Sequence, residues 1–252
     1  MAQAIIHPTA QLDQGVTLRE NVVIGPGVRI GAGSVISNGC VLYDDTVLGA
    51  HVTVFDNTVL GRKPQRVGSM TRPPRTDLPP LQIGDGCVVG ACVVLYRGTI
   101  IGNETLLGDQ ASIREECEVG SGCVIARGVT INYQTRILNR VKIMDNTHIT
   151  GNMVIEDGVF ISVNVATTND NAMDRGPHDP SKFGGPVIRK GASVGASAVL
   201  LPGITIGEYA VVGAGAVVSY DVPARKLVVG NPARIVKDVP AEWIPVEERQ
   251  AH

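Results

Sequence analysis

Aromatic residues are scarce in this chain of 252 residues, where Phe, Trp and Tyr together make up 4%. Globular cores usually draw much of their buried area from aromatic rings. This core therefore has to be filled by aliphatic side chains, which dominate the 44% hydrophobic fraction. An excess of either charge is missing as well. The formal net charge is -2, which excludes a general electrostatic attraction to nucleic acid.

Long apolar runs are also absent, and the N-terminal sequence MAQAIIHPTA has no basic stretch followed by an apolar one. A transmembrane helix needs about 20 consecutive apolar residues, and a secretory signal peptide needs both of those regions in order. We therefore expect a soluble, cytoplasmic protein without a membrane partner. The five cysteines are an odd number at no metal-ligand spacing, so we expect no metal.

The chain does contain a period of six residues. An aliphatic residue returns at every sixth position in three runs, which begin at Ile6, Ile83 and Ile188 and together contain 30 hexads. The fifth position is usually small or β-branched, and Gly often follows the aliphatic residue. Because alternate residues of a strand share a face, the fifth position and the next aliphatic position both point inward. Each hexad is therefore a short strand plus a corner at which Gly tolerates the required dihedral angles, and three hexads close one triangular coil.

The cysteines fit this register. Cys40, Cys87, Cys117 and Cys123 occupy the small inward fifth position, and Cys92 falls at a corner. We interpret the first four as packing residues. None of the five is predicted to be a nucleophile.

The phrase [Ile/Leu/Val]-Gly-x-x-[small]-x resembles the hexapeptide acyltransferase family from residue 6 to about residue 235. The resemblance implies an all-β fold, a left-handed parallel β-helix of about ten triangular coils. We expect the β-helix to cover residues 1–222, with long loops near residues 61–82 and 166–187. A short C-terminal extension is expected over residues 223–252, packing on or beyond the last coils.

The two loops interrupt the period and differ in character. The first is basic, with five cations against one acid, Asp77. Because the guanidinium of Arg can form two parallel hydrogen bonds to phosphate oxygens, this loop is predicted to bind a diphosphate. The alternative is a solvated loop that contacts a neighbouring subunit. The second loop is rich in hydrogen-bonding groups and is either functional or a polar surface flap. The cations of the first loop are Arg62, Lys63, Arg66, Arg72 and Arg75.

Counting hexads places His148 outward on a strand, with Thr130 one coil earlier and Ala166 one coil later. Asn169 and Asp170 of the second loop should begin almost directly above His148, and Asn132 and Tyr133 follow Thr130 in the same stack. This is the best constellation of polar groups in the sequence. A merely solvated His148 is the alternative. A zinc site of the β-helical carbonic anhydrase type needs three imidazoles, and the chain has no close His pair.

The Gly- and Ala-rich coils after Ile188 and the ending GNPAR resemble the part of hexapeptide acyltransferases that holds coenzyme A. The resemblance implies that a pantetheine arm lies where side chains are short and that nearby cations meet the phosphates. The alternative is that the small residues only make corners. The implied cofactor-binding residues are Gly195, Ala196, Gly213 and Ala214 for the arm, and Lys226, Arg234 and Lys237 for the phosphates.

The segment from residue 142 to 171 resembles a narrower group, the N-acetyltransferases of dTDP-3-amino-3,6-dideoxyhexoses. Related sugar-nucleotide acyltransferases often read His-Ile-x-His-Asp here, with the second His as general base, whereas this chain has Gly151 at that position. The resemblance implies transfer from acetyl-CoA to a sugar amine without a protein base, by a homotrimer with intersubunit sites.

In this interpretation each group has a role. His148 shapes the pocket, and Asn169 and Asp170 orient the amine. Four further residues bind the nucleotide sugar. Alternatives are acyl transfer to a hydroxyl or another amine, and a non-catalytic β-helical scaffold. The substrate-binding residues are Asn132, Tyr133, Arg72 and Arg75.

Overall fold

The computed structural model describes residues 3–70, 73–173, 175 and 184–248. Within these ranges the chain is an all-β parallel solenoid in which most strands are two residues long, which confirms the predicted fold class. Helical structure in the same ranges is limited to short 3-10 turns at residues 241–243 and 246–248. No helix among the described residues is long and apolar enough to cross a membrane.

The strands follow one another at the predicted period. The first ten are β1 Ile5–Ile6, β2 Gln11–Leu12, β3 Thr17–Leu18, β4 Val23–Ile24, β5 Arg29–Ile30, β6 Val35–Ile36, β7 Val41–Leu42, β8 Val47–Leu48, β9 Thr53–Val54 and β10 Val59–Arg62. The next fifteen are β11 Gln82–Ile83, β12 Val88–Val89, β13 Val94–Tyr96, β14 Ile100–Ile101, β15 Leu106–Leu107, β16 Ser112–Ile113, β17 Glu118–Val119, β18 Val124–Ile125, β19 Thr130–Ile131, β20 Arg136–Ile137, β21 Lys142–Ile143, β22 His148–Ile149, β23 Val154–Ile155, β24 Phe160–Ile161 and β25 Ala166–Thr167. The last eight are β26 Val187–Ile188, β27 Ser193–Val194, β28 Val199–Leu200, β29 Thr205–Ile206, β30 Val211–Val212, β31 Val217–Val218, β32 Lys226–Val229 and β33 Arg234–Asp238.

Every third strand joins the same flat face, so the described residues form three sheets. Face A has 11 strands from β1 to β31, face B has 10 from β2 to β29, and face C has 12 from β3 to β33. These numbers are close to the ten coils expected. The pairing register within the repeats is 18 residues where no loop intervenes, and His148 pairs with Thr130 below and Ala166 above. The predicted stack of Thr130, His148 and Ala166 is confirmed.

The interior of the prism is one continuous aliphatic core. In each repeat strand the first residue points outward and the second inward, as in the pair Lys142 and Ile143, of which only Ile143 is buried. The four inward cysteines are buried and Cys92 is exposed, which confirms the packing interpretation. Burial raises the pKa of the Cys117 thiol to about 12, so at neutral pH this side chain is a small apolar filler rather than a thiolate.

The corners use glycine for two separate reasons. The left-handed backbone conformation falls on the fourth position of the hexad, where His51 has φ 56° and Gly33 has φ 71°. The Gly that follows the aliphatic residue serves a different purpose: a Cβ on Gly31 would lie 2.6 Å from the backbone nitrogen of Ala50 in the next coil. The expectation that these second-position glycines satisfy dihedral angles is therefore wrong, because the close stacking of coils is what excludes a side chain there.

Residues after the last full coil extend face C and fold back on the prism. Strand β32 pairs parallel with β30, and β33 returns antiparallel to β32. Val239 and Ile244 pack on Tyr209, and Glu248 forms an ion pair with Lys190. The end of the prism is thus covered by a hairpin and a short return.

Candidate functional site

Both long loops leave the prism at the same edge. The first, residues 63–81, connects β10 of face A to β11 of face B, and the second, residues 168–186, connects β25 of face A to β26 of face B. We call the line of corners between these two faces the A–B edge. Four corners lie on it between the loops, at residues 96–98, 114–116, 132–134 and 150–152. This shared edge was not predicted from the sequence, although counting hexads in threes places both insertions after face A.

The first loop packs against the part of the A–B edge that is nearer the N-terminal end of the prism. Leu78 and Leu81 are buried, and the buried guanidinium of Arg97 donates from Nε to the carbonyl oxygen of Leu78 at 3.3 Å. A second nitrogen of Arg97 donates to the carbonyl oxygen of Asp44. Arg97 therefore fastens the loop to the prism, a structural role that the sequence did not reveal.

Farther along, the first loop reaches the corner of Tyr133. Arg75 forms an ion pair with Glu116 at 3.0 Å, and Gln134 donates from Nε2 to the other carboxylate oxygen of Glu116 at 3.2 Å. A cavity of about 60 Å³ lies beneath the loop. Arg72 lies outside the described residues. The cavity is lined by Pro73, Pro74, Arg75, Arg114, Glu115, Glu116, Tyr133 and Gln134.

The ring of Tyr133 is held between a cation and a glycine. The guanidinium carbon of Arg114 lies 5.1 Å from the ring centroid, a cation–π distance. Arg114 is itself fixed by an ion pair of 2.7 Å with Glu115, whose side chain is buried. On the other side, a Cβ on Gly151 would collide with the Tyr133 ring. The structure thus brings Arg75 and Tyr133 to one cavity and adds Arg114 and Glu115, which the sequence did not single out.

The second loop reaches the same corner from the opposite end. The side-chain amide of Asn169 donates to the hydroxyl of Tyr133 and to the carbonyl oxygen of Gly151, both at 3.4 Å. Asp170 accepts the backbone N–H of Ala172 at 2.6 Å, which fixes the first turn of the loop. The hydrogen bonds of Asn169 therefore go to the corner beyond His148, rather than placing this side chain directly over His148 as expected.

His148 lies on the outer surface of face A and is half-buried. Its strand, β22, leads directly into the corner that contains Gly151. The imidazole Nδ1 is hydrogen-bonded to Oγ1 of Thr130 at 2.7 Å. Burial lowers the pKa of the imidazole, so the neutral ring predominates at pH 7. Thr167, which replaces the usual aliphatic residue, donates to the carbonyl oxygen of His148 at 3.0 Å and accepts from the N–H of Thr150 at 2.8 Å. Thr167 thereby ties the start of the second loop to the strand of His148.

The residues expected to hold a cofactor lie elsewhere on the prism. Gly195, Ala196, Gly213 and Ala214 form two stacked corners between faces C and A, which we call the C–A edge. A Cβ on Gly195 would lie 2.9 Å from Cα of Ala214. Coil stacking alone therefore requires Gly195, whatever else this edge does.

The cations expected near the cofactor phosphates lie on the hairpin of β32 and β33. Lys226 forms an ion pair with Asp238, and Arg234 lies 5.9 Å from the centroid of the Tyr220 ring. Lys237 is exposed. The predicted acceptor-binding residues thus lie at the A–B edge, and the predicted pantetheine-binding residues lie at the C–A edge. Both edges border face A, which carries His148. Among the described residues, no group of three or more His, Cys, Asp or Glu side chains is placed to hold a metal ion.

Comparison with family models supports the repeat assignment. The model described as bacterial transferase hexapeptide (six repeats) matches residues 98–133 and 185–219. The hexapeptide repeat of succinyl-transferase matches residues 80–97, and the GMPPB C-terminal domain matches residues 1–74. The prediction of hexapeptide repeats is confirmed.

Curated relatives match over limited stretches. The dTDP-3-amino-3,6-dideoxy-alpha-D-galactopyranose 3-N-acetyltransferase of Aneurinibacillus thermoaerophilus is 55% identical over 56 residues, 22% of this chain and 29% of that protein. The acyl-[acyl-carrier-protein]–UDP-N-acetylglucosamine O-acyltransferase of Bartonella bacilliformis is 33% identical over 119 residues, 43% of this chain and 40% of that protein. The matched stretches therefore span less than half of these relatives.

Solved structures share the fold at low identity. The UDP-N-acetylglucosamine acyltransferase of Francisella novicida superposes with a TM-score of 0.55 and 18% identity, covering 98% of this chain and 74% of that one. The Arabidopsis enzyme of the same name gives a TM-score of 0.51 and 19% identity, covering 98% and 78%. At these identities the likeness extends to the solenoid fold and no further.

Proposed function

We propose that this hexapeptide-repeat protein is an N-acetyltransferase that moves an acetyl group from acetyl-CoA to the amino group of a nucleotide-linked sugar, a dTDP-3-amino-3,6-dideoxyhexose. The observation that carries the proposal is the convergence of both loops on the Tyr133 corner, where Arg75 arrives from one loop and Asn169 from the other. The stretch of 55% identity to a dTDP-3-amino-sugar N-acetyltransferase supports the choice of acceptor.

The chemistry needs little from the protein beyond placement. The neutral amine attacks the thioester carbonyl, the C–N bond forms, and the C–S bond breaks to release the CoA thiolate. The amine proton passes to that thiolate or to water, so atoms and charges balance. Holding the amine against the carbonyl and stabilising the oxyanion with fixed donors supply the acceleration. No protein base is required, which suits a corner that has Gly151 where related enzymes carry an imidazole.

In this proposal the residues at the A–B edge bind the acceptor. Asn169 and Asp170 orient the sugar amine, and His148, a neutral imidazole, borders the pocket on face A. Arg75 and Arg72 contact the diphosphate, and for Arg75 this means exchanging its ion pair with Glu116 for phosphate oxygens. Asn132 and Tyr133 line the sugar, and Pro73 and Pro74 border the same cavity.

The cofactor belongs to the C–A edge in the same proposal. The short side chains at Gly195, Ala196, Gly213 and Ala214 leave room for a pantetheine arm. Arg234 and Lys237 would meet its phosphates, and Lys226 would do so by exchanging its ion pair with Asp238 for phosphate oxygens. The two edges of one chain are separated by face A, so we propose a homotrimer in which the acceptor edge of one copy meets the cofactor edge of another. Face A suits burial against a neighbour, because the first residue of each of its strands is uncharged.

A second candidate is acyl transfer to a sugar hydroxyl. It is favoured by the 33% identity over 119 residues with an O-acyltransferase of UDP-N-acetylglucosamine. The two reactions differ in what the site must do, since a hydroxyl is a far weaker nucleophile than an amine and needs a general base. A non-catalytic scaffold, the third possibility, has no use for a pair of loops that converge on a cavity.

The test is a pair of assays on the purified protein. Calorimetric titration with acetyl-CoA should show binding, and incubation with acetyl-CoA and a dTDP-3-amino-3,6-dideoxyhexose should release free CoA thiol in step with an N-acetylated product. UDP-N-acetylglucosamine is the hydroxyl control and should release none. Thiol release with that control alone would favour the second candidate, and an absence of heat with acetyl-CoA would favour a scaffold.

A further inference from the structure

The corner at residues 132–134 differs from its neighbours because its aromatic side chain rises along the prism onto the next coil. Tyr133 and Gly151 occupy the same hexad position in successive coils. A Cβ on Gly151 would lie 2.8 Å from Cδ2 of the Tyr133 ring and closer still to its neighbouring carbons. The ring therefore fills the space that any side chain at position 151 would need.

This placement of the ring fixes the position of the Tyr133 hydroxyl along the axis of the prism. With the ring against Gly151, the hydroxyl and the carbonyl oxygen of Gly151 are both 3.4 Å from the amide nitrogen of Asn169. Asn169 is the second residue after β25 ends, at the point where the second loop leaves the prism. One side-chain amide thus joins the loop to two successive coils.

The ring is also fixed from below. Arg114 holds one face of Tyr133 at 5.1 Å, and the buried carboxylate of Glu115 keeps the guanidinium of Arg114 in place with two hydrogen bonds, at 3.2 and 2.7 Å. A ring braced in this way has little freedom to follow a moving loop. The loop is therefore the partner whose position is determined.

We propose that Tyr133 is a positioning residue: seated on Gly151, it holds Asn169 and with it the start of the second loop at the A–B edge. The inference deepens the proposed function and rests on it where activity is concerned, because Asn169 is the residue proposed to orient the sugar amine. The ring of Tyr133 lines the sugar, and its hydroxyl acts on the sugar amine through Asn169. Gly151 is part of this arrangement because only glycine leaves room for the ring.

A double-mutant cycle tests the connection. Tyr133→Phe keeps the ring and removes the hydroxyl, and it should lower kcat/KM for the amino sugar by roughly two- to tenfold, the usual effect of one hydrogen bond. The KM for acetyl-CoA should not change. Asn169→Ala should cost at least as much, and adding Tyr133→Phe to it should cost less than Tyr133→Phe costs alone. Independent, multiplying losses would contradict the proposal.

Gly151→Ala tests the packing of the Tyr133 ring on Gly151 independently of the Tyr133 hydroxyl. The added methyl group displaces the ring, so kcat/KM should fall for the amino sugar, and Tyr133→Phe should have a smaller effect in that background than in the wild type. Tyr43→Phe is the matched control, since it removes a phenolic hydroxyl from the same edge four strands lower. That control should leave kcat/KM unchanged.

Hydrogen exchange separates this inference from the proposed function. Backbone amides of residues 168–173 should exchange faster in Tyr133→Phe and in Gly151→Ala, and at the wild-type rate in Tyr43→Phe. This result stands even if the wild-type protein acetylates no amino sugar, in which case only the proposed function fails. Wild-type exchange in both site variants would overturn the positioning role, whatever the activity.

Discussion

The hydroxyl of Thr130 lies 2.7 Å from Nδ1 of His148, one coil away on the same face. This hydrogen bond fixes the orientation of the ring and occupies one of its two nitrogens. Burial lowers the pKa of the imidazole, so the ring is neutral at the pH where an amine acceptor is deprotonated. The pair is suited to shaping a pocket, and Nε2 is the nitrogen that a reacting group would have to reach.

His148→Asn tests what that ring does. If the amine attacks without a protein base, the substitution should lower kcat by less than roughly 100-fold, because only packing and a hydrogen bond are lost. General-base catalysis is typically worth 10²–10⁴-fold. A loss of 10³-fold or more, in a protein whose circular dichroism is unchanged, would contradict the base-free mechanism.

The pH profile of the same variant gives an independent reading. A base with a lowered pKa is active above that pKa, and it loses activity as the pH falls through it. Without a protein base, the acidic limb belongs to the acceptor amine, and His148→Asn should leave its position unchanged. Disappearance or displacement of that limb in the variant would assign the limb to His148.

The first loop is expected to act through the charge of Arg75. Arg75→Ala should raise KM for the nucleotide sugar by roughly tenfold, since a charge-assisted hydrogen bond to phosphate is lost, and should leave KM for acetyl-CoA nearly unchanged. Adding Arg72→Ala should increase the effect. Steady-state kinetics with each substrate varied in turn measures both constants.

Lys63→Ala is the control for that experiment. Lys63 belongs to the same loop, but its ammonium pairs with Asp44 at 3.3 Å and does not line the cavity. Its removal should leave both KM values near those of the wild type. Equal effects of Lys63→Ala and Arg75→Ala would indicate a general influence of loop charge, and no effect of the Arg72 and Arg75 changes would exclude the diphosphate role.

Much of this architecture follows from the period of six. The strands, the inward cysteines and the stack of Thr130, His148 and Ala166 are all fixed by counting, because strand pairing repeats every three hexads. Even the common edge of the two loops is contained in the hexad count. The sequence therefore predicts where each residue stands on the prism.

The contacts at the corners could not be counted in the same way. A corner side chain can lean along the edge in either direction, and Tyr133 leans towards Gly151 only because that position lacks a Cβ. Asn169 starts from a position fixed by Thr167, which interrupts the aliphatic pattern. The hydroxyl of Thr167 forms hydrogen bonds with the backbone of His148 and Thr150. These relations depend on pairs of residues in different coils, which a periodic pattern does not specify.

Thr167 itself should carry a measurable share of stability. Thr167→Val keeps the shape but removes the hydroxyl, which leaves the N–H of Thr150 and the carbonyl oxygen of His148 without that partner. A buried polar group left unsatisfied costs about 1–3 kcal/mol, so the free energy of unfolding in a chemical denaturation experiment should fall by that order.

Thr46→Val is the matched comparison. Thr46 is also buried and inward-facing, but its hydroxyl has no hydrogen-bond partner among the described residues. Replacing it with Val removes an unsatisfied polar atom and should be neutral or slightly stabilising. If both substitutions change stability equally, the hydrogen bonds of Thr167 do not account for its place in the core.

The outward first residue of every face A strand is uncharged, which predicts association of copies through this face. Outward Val residues recur on this face at Val94, Val199 and Val217, and each keeps part of its apolar surface exposed in the single chain, which an interface would remove from water. Light scattering at micromolar concentration should give about three times the chain mass of 26.5 kDa. A monomer at that concentration would contradict the trimer and any site shared between copies.

The proposed function requires that the A–B edge between the two loops bind the amino sugar. A crystal structure of the protein with CoA and a dTDP-3-amino-3,6-dideoxyhexose measures this directly. We expect the sugar amine within hydrogen-bond distance of Asn169 or Asp170, the diphosphate at Arg75, and the pantetheine arm along Gly195 and Gly213 of a neighbouring copy. Nucleotide density away from the Tyr133 corner, with the Arg75–Glu116 ion pair intact and the cavity unoccupied, would contradict it.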